Sequence, residues 1–162
     1  MNNFDKVSFF KRNKISNFVN YSSPVFIIGL PRSGSTLIES LLIQNNKKYY
    51  SYGESGTFDT SIFNQIKSNI LKSFNLDNTK IKIDEELLFK SIQNLYFYTG
   101  EKNFIDKSLE NFYYIDIILK LYPKAKFIHT FRNRFDAAIA IYQSMLIHLP
   151  WAHSIKNILT YI

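Results

Sequence analysis

Residues 24–37, Pro24-Val25-Phe26-Ile27-Ile28-Gly29-Leu30-Pro31-Arg32-Ser33-Gly34-Ser35-Thr36-Leu37, read as a short apolar strand, a loop with two glycines and the start of a helix. The unbroken Val-Phe-Ile-Ile run is the pattern of a strand buried on both faces of a parallel sheet. A loop of this kind aims backbone N–H groups and a helix N-terminus at one point, which makes an anion site. The spacing Gly29-x4-Gly34 is that of a phosphate-binding P-loop. An ATP- or GTP-binding loop carries lysine after the second glycine, whereas this chain has Ser35 there and Arg32 inside the loop. Arginine supplies a fixed charge with forked donors. Gly34 allows close backbone approach, and the hydroxyls of Ser35 and Thr36 can cap N–H groups or touch an oxyanion. The plainer alternative is a strand, turn and helix with glycines kept only for geometry.

The rest of the chain alternates in the same way. A second short strand is expected over Lys47–Tyr52, polar-apolar helices near 58–74 and 84–99 with a break at Leu76-Asp77-Asn78-Thr79, and a third strand over Asn103–Asp106. Leu109–Leu121 is amphipathic and closed by Pro123, which predicts one helix. Lys126–Phe131 predicts a fourth strand, followed by a helix over 134–148 and another beginning at 151. In the first helix, over 36–45, Leu37, Leu41 and Leu42 are taken as the apolar face. Strands alternating with helices give an α/β fold with a central parallel sheet. Ligands in such folds bind at the carboxyl ends of strands. Those ends are the loop at 29–36, Asp106-Lys107 and Arg132. Residues 1–23 read as a polar lead-in arm. The apolar end, Ile158 to Ile162, suggests a domain incomplete at its C-terminus.

A chain of 162 residues fits one domain. With 46% apolar and 20% charged residues, a globular fold is expected rather than disorder. The net charge of +7 is spread out, with Lys11-Arg12-Asn13-Lys14 as the one real cluster. That favours ordinary surface lysines or a polyanionic small ligand over nucleic acid. Cysteine is absent, and His129, His148 and His153 are too dispersed to suggest zinc. No apolar run approaches the ~20 residues that span a bilayer. The start of the chain lacks the apolar core of a signal peptide, so a cytoplasmic location is expected.

Pro31-Arg32-Ser33-Gly34-Ser35-Thr36 after an apolar strand resembles the 5′-phosphosulfate loop of sulfotransferases. The nearest likeness is to the branch of tyrosylprotein sulfotransferases and bacterial relatives linked to tetratricopeptide repeats. Tyr52-Gly53-Glu54 resembles the family's Gly-Glu segment. Asp106-Lys107-Ser108-Leu109-Glu110-Asn111-Phe112 resembles its Asp-Lys-x-Pro-x-Asn-Phe motif. Pro123 to His129 leading to Arg132 resembles the strand before the 3′-phosphate site, and Trp151-Ala152 the start of a later helix. The likeness spans about residues 24–160.

The resemblance implies a P-loop NTPase-like three-layer fold. It also implies a donor, 3′-phosphoadenosine 5′-phosphosulfate, a hydroxyl-bearing acceptor and no metal. Arg32, Ser33, Gly34, Ser35 and Thr36 would hold the phosphosulfate and Arg132 the 3′-phosphate. Glu54 would be the general base, and Lys107 would stabilise charge on the departing oxygen. Each has a plainer alternative: Glu54 as a solvated loop carboxylate, Lys107 as a surface lysine, and Arg132 in an i,i+4 pair with Asp136. Asp106 as a metal ligand is disfavoured by its short strand. The chain departs from the family at Ser55, where tyrosylprotein members have a second glutamate. It also departs at Leu109, where the motif has proline, and at Ala140 and Ser144, which weaken the 3′-phosphate end. Peptide tyrosine, carbohydrate and small-molecule hydroxyls all remain open as acceptors. The competing readings are a truncated or degenerate nucleotide-binding module, with a second chain completing the fold, and a P-loop kinase.

Overall fold

The computed structural model describes residues 23–62, 64, 84–97, 103–146 and 149–162. The elements in order are β1 (Val25–Gly29), α1 (Ser35–Asn45), β2 (Tyr50–Ser51), α2 (Glu85–Phe97), β3 (Phe104–Asp106), α3 (Ile115–Leu121), β4 (Lys126–Thr130), α4 (Arg134–Gln143) and α5 (Ile155–Tyr161). Residues 57–62 are also helical. The polar arm before Ser23 and the break at 76–79 lie outside the described residues.

The four strands form one parallel sheet in the order β2-β3-β1-β4. β1 is therefore central. Its five residues pair with all five of β4, from Val25 opposite Lys126 to Gly29 opposite Thr130, while Val25 and Phe26 meet Ile105 and Asp106 of β3. The chain runs from β1 out to β2 and back to β3, then crosses β1 to reach β4. This places a reversal of direction beside β1, where open α/β sheets form their binding crevice.

All five residues of β1 are buried, and alternate side chains feed two different cores. Val25 and Ile27, with Ile105, pack under Ile38 and Leu42 of α1. Phe26 and Ile28 turn to the other face, against Phe58, α2 and α3. The result is the expected three layers: helix, sheet, helix. A third cluster joins Ala138 and Ile141 of α4 to Ala152 and Ile158.

Four expectations change. The inward face of α1 is not the one carrying Leu37 and Leu41, which are 64% and 45% exposed. Ser35, Ile38 and Leu42 turn in instead, and with them Glu39, whose carboxylate is engaged beneath the helix. The predicted helix over 109–121 is two pieces: a 3-10 helix, Leu109–Tyr114, and then α3. The first piece is wound tightly because Asp106 accepts from Ser108 N–H at 2.7 Å and from Asn111 Nδ2 at 3.1 Å. Both ends of that turn are drawn back to the strand. The second strand shrinks to two residues because β2 lies at the sheet edge and has β3 as its single neighbour, leaving Tyr50 exposed. The helix predicted over 134–148 is regular only to Gln143.

Candidate functional site

The carboxyl ends of β1, β3 and β4 lie on one edge of the sheet, and the loops that follow them surround a cavity of about 570 Å³. Pro31, Arg32, Gly34, Ser35 and Thr36 form one wall, and Arg132 joins them from the end of β4. Glu54, Gly56 and Asp59 face them, with Ser108, Leu109 and Glu110 beside them. Leu146 and Leu149 close the apolar side.

The loop wall is built for an anion. Helix α1 starts at Gly34 (φ 92°), no side chain caps it, and its first turn carries no carboxylate. Its leading N–H groups are thus left for a ligand, at the positive end of the helix dipole. Arg32 adopts a left-handed φ of 63°, a conformation that costs a non-glycine residue of order 1–3 kcal/mol. The loop is braced from behind. Ser33 Oγ donates to the Leu30 carbonyl at 2.6 Å and lies 2.7 Å from Thr130 Oγ1, which reaches the Ile28 carbonyl at 3.2 Å. Ser33 does not line the cavity, so what it gives the loop is rigidity. Arg132 Nη1 donates to the Arg32 carbonyl at 3.0 Å. The two arginines predicted from separate strand ends therefore meet, and among the described residues Arg132 braces the loop rather than pairing with Asp136.

The opposite wall is acidic. Loop 52–56 is pinned to the end of β3: Tyr52 N–H donates to the Ile105 carbonyl at 2.9 Å and Lys107 N–H to the Gly53 carbonyl at 2.8 Å. Ser55 Oγ donates to Asp106 Oδ2 at 2.5 Å, and Gly56 N–H donates to Ser108 Oγ at 2.9 Å. Asp106 is fully buried and both of its oxygens are spent on this clamp, which explains the motif chemically. The acid of Asp-Lys-x-x-x-Asn holds a loop in position. Ser55 is part of the same clamp.

Lys107 is not a surface lysine. Its side chain is 8% exposed, and its ammonium donates to Glu54 Oε1 at 2.6 Å and stands 3.9 Å from Glu39 Oε2. Glu54 is the outer partner, 63% exposed. Lys107 itself does not line the cavity; its charge reaches the wall through Glu54. Glu39 was not singled out from the sequence, since a glutamate among leucines on a helix reads as a solvated position. The signal was its place at i+4 from Ser35, on the inward face.

Asp59 and Glu110 are also additions. Burial first, and then the neighbouring Asp59 carboxylate, raise the Glu110 carboxyl above its ordinary value. Tyr114 donates its hydroxyl to Asp59, and burial pushes both Tyr114 and Tyr161 up as well. Ala140 and Ser144 do not line the cavity; Ser144 Oγ instead bonds the Ala140 carbonyl within its own helix. Among the described residues no group of three or more His, Asp or Glu is placed to hold a metal ion. None of the described helices is long and apolar enough to cross a membrane.

Residues 24–160 match the sequence profile of the sulfotransferase family. The chain belongs to that family. It is also 34% identical over 130 residues to an uncharacterised protein of Aquifex aeolicus (strain VF5), an alignment covering 74% of this chain and 17% of the relative. The chain thus spans about a sixth of that relative's length.

Proposed function

We propose that the cavity takes 3′-phosphoadenosine 5′-phosphosulfate and that the chain's chemistry is sulfuryl transfer to an acceptor hydroxyl. The observation that carries this is the meeting of Arg32, Arg132 and an uncapped helix N-terminus on one wall with Glu54 on the other. Sulfuryl transfer, like phosphoryl transfer, is mostly positioning plus stabilisation of spreading charge. The loop wall fits the phosphosulfate. Arg132, 3.0 Å from the Arg32 carbonyl and exposed beyond it, fits the second phosphate of the nucleotide.

Glu54 takes the acceptor's proton as the acceptor oxygen bonds to sulfur. The bond from sulfur to the bridging oxygen breaks, and adenosine 3′,5′-bisphosphate leaves with that electron pair. The Lys107 ammonium, buried behind Glu54, stabilises the departing oxygen through its charge rather than by direct contact. Asp59 and Glu110 on the acceptor side favour a neutral or cationic acceptor over an acidic one.

The test is transfer of ³⁵S from the labelled donor across a panel of phenols, sugars and amino alcohols. The expected result is labelled product from the wild type and a loss of about 10²–10⁴-fold in Glu54→Gln. Equal rates in the two proteins would remove Glu54 from the base role. Protection by Mg-ATP but not by the bisphosphate would favour a kinase.

A further inference from the structure

The structure holds one arrangement that the proton transfer alone does not use. Lys107 is a buried cation between two carboxylates that come from different elements. Glu54 comes from loop 52–56, and Glu39 from the middle of α1, the helix whose N-terminus faces the cavity. Glu39 is itself held at both ends. Ser51 Oγ of β2 donates to its Oε1 and also accepts from Gly53 N–H at 3.1 Å, while its Oε2 faces the ammonium. The links close a ring from α1 through β2 and the Glu54 loop to the end of β3.

A general base is neutral for part of every turnover. When Glu54 carries the acceptor's proton, an 8%-exposed ammonium loses its nearer anion. A buried charge stripped of its partner is strongly destabilising. We infer that Glu39 is the second counter-ion of Lys107, a positioning residue that holds the ammonium in place while Glu54 is protonated. The inference deepens the sulfotransferase reading and rests on it for the moment at which Glu39 acts. Glu39 does not line the cavity, so it acts through the groups it holds, Lys107 and the Ser51–Gly53 link.

Glu54→Gln mimics the protonated base, neutral and of the same shape. The experiment follows the slowly exchanging Lys107 ammonium in ¹⁵N-lysine NMR spectra, assigned by its absence in Lys107→Met. Denaturant unfolding is measured in parallel for the wild type, Glu39→Gln, Glu54→Gln and the double variant. Each single variant should keep the protected ammonium signal. The double variant should lose it and lose about 10–100-fold in folding equilibrium beyond the sum of the singles. Adding Lys107→Met to the double variant should recover that loss, which simple damage to packing would not allow. Additive singles with the signal retained in the double variant, or loss of the signal in Glu54→Gln alone, would overturn the inference. Calorimetry with adenosine 3′,5′-bisphosphate separates the two ideas. Failure of the wild type to bind it would sink the donor assignment, and the Lys107 signal would still decide the role of Glu39.

Discussion

At the scale of single residues, Arg32 is the strained position of the loop between β1 and α1. Its φ of 63° is one that glycine adopts freely and arginine does not, so the loop carries strain at the residue that supplies its charge. Arg32→Gly should therefore leave the melting temperature unchanged or raised while removing the charge. A fall of several degrees in a thermal melt would mean that Arg32 holds the loop together rather than serving a ligand. Glu110 gives a pH prediction. Its folded carboxyl is raised by burial and by Asp59, so it is harder to ionise folded than unfolded. Its contribution to stability is full below the ordinary carboxyl value of 4.5 and is lost as pH rises through the higher folded value. Glu110→Gln should flatten that decline between acid and neutral pH. Parallel melting curves for the two proteins across this range would contradict it.

At the scale of elements, β1 and β4 must lie close enough for the Ser33–Thr130 brace to form, and Gly29 sets that approach. A Cβ at Gly29 would stand 2.4 Å from the Thr130 carbonyl oxygen and 2.8 Å from its Oγ1, at a φ of 141°. Gly29→Ala should cost at least about 1–3 kcal/mol in denaturant unfolding from backbone strain alone. A variant as stable as the wild type would show that the strands can part freely. Elements with one decisive local signal were legible in the sequence. The all-apolar run of β1 and the Lys126-Phe-Ile-His-Thr stretch of β4 form strands within one residue of expectation. The elements that were misread are those shaped by distant partners. Asp106 divides the 109–121 helix, and Glu39, bound to Lys107 and Ser51, helps turn α1 so that Leu37 faces out. The candidate site divides in the same way. Arg32, Glu54 and Arg132 stand in local motifs and Glu110 lies inside one at a variable position, whereas Glu39 and Asp59 are brought to the site by the packing of separate elements.

At the scale of the molecule, one aromatic side chain ties the sheet to the helical layer that carries the acidic wall of the cavity. Phe26 is fully buried in β1, with ring centroids of Phe58, Phe104 and Phe127 at 6.1, 5.9 and 5.7 Å. Phe58 precedes Asp59 of the cavity, so the core and the site share a wall. Phe26→Ala should destabilise the fold by about 3–5 kcal/mol in urea unfolding. A cost below ~1 kcal/mol would mean that the layer repacks around the gap. Calorimetry is the sharpest test of the proposed donor site for a bisphosphorylated adenosine with a sulfuryl group. Adenosine 3′,5′-bisphosphate and Mg-ATP are titrated separately into the wild type and into Arg32→Gly. The prediction is tighter binding of the bisphosphate than of Mg-ATP by the wild type. Arg32→Gly should bind the bisphosphate about 10–100-fold more weakly, the worth of a charge-assisted hydrogen bond of about 1.5–3 kcal/mol. Equal bisphosphate affinity in the two proteins, or a preference for Mg-ATP, would contradict the account.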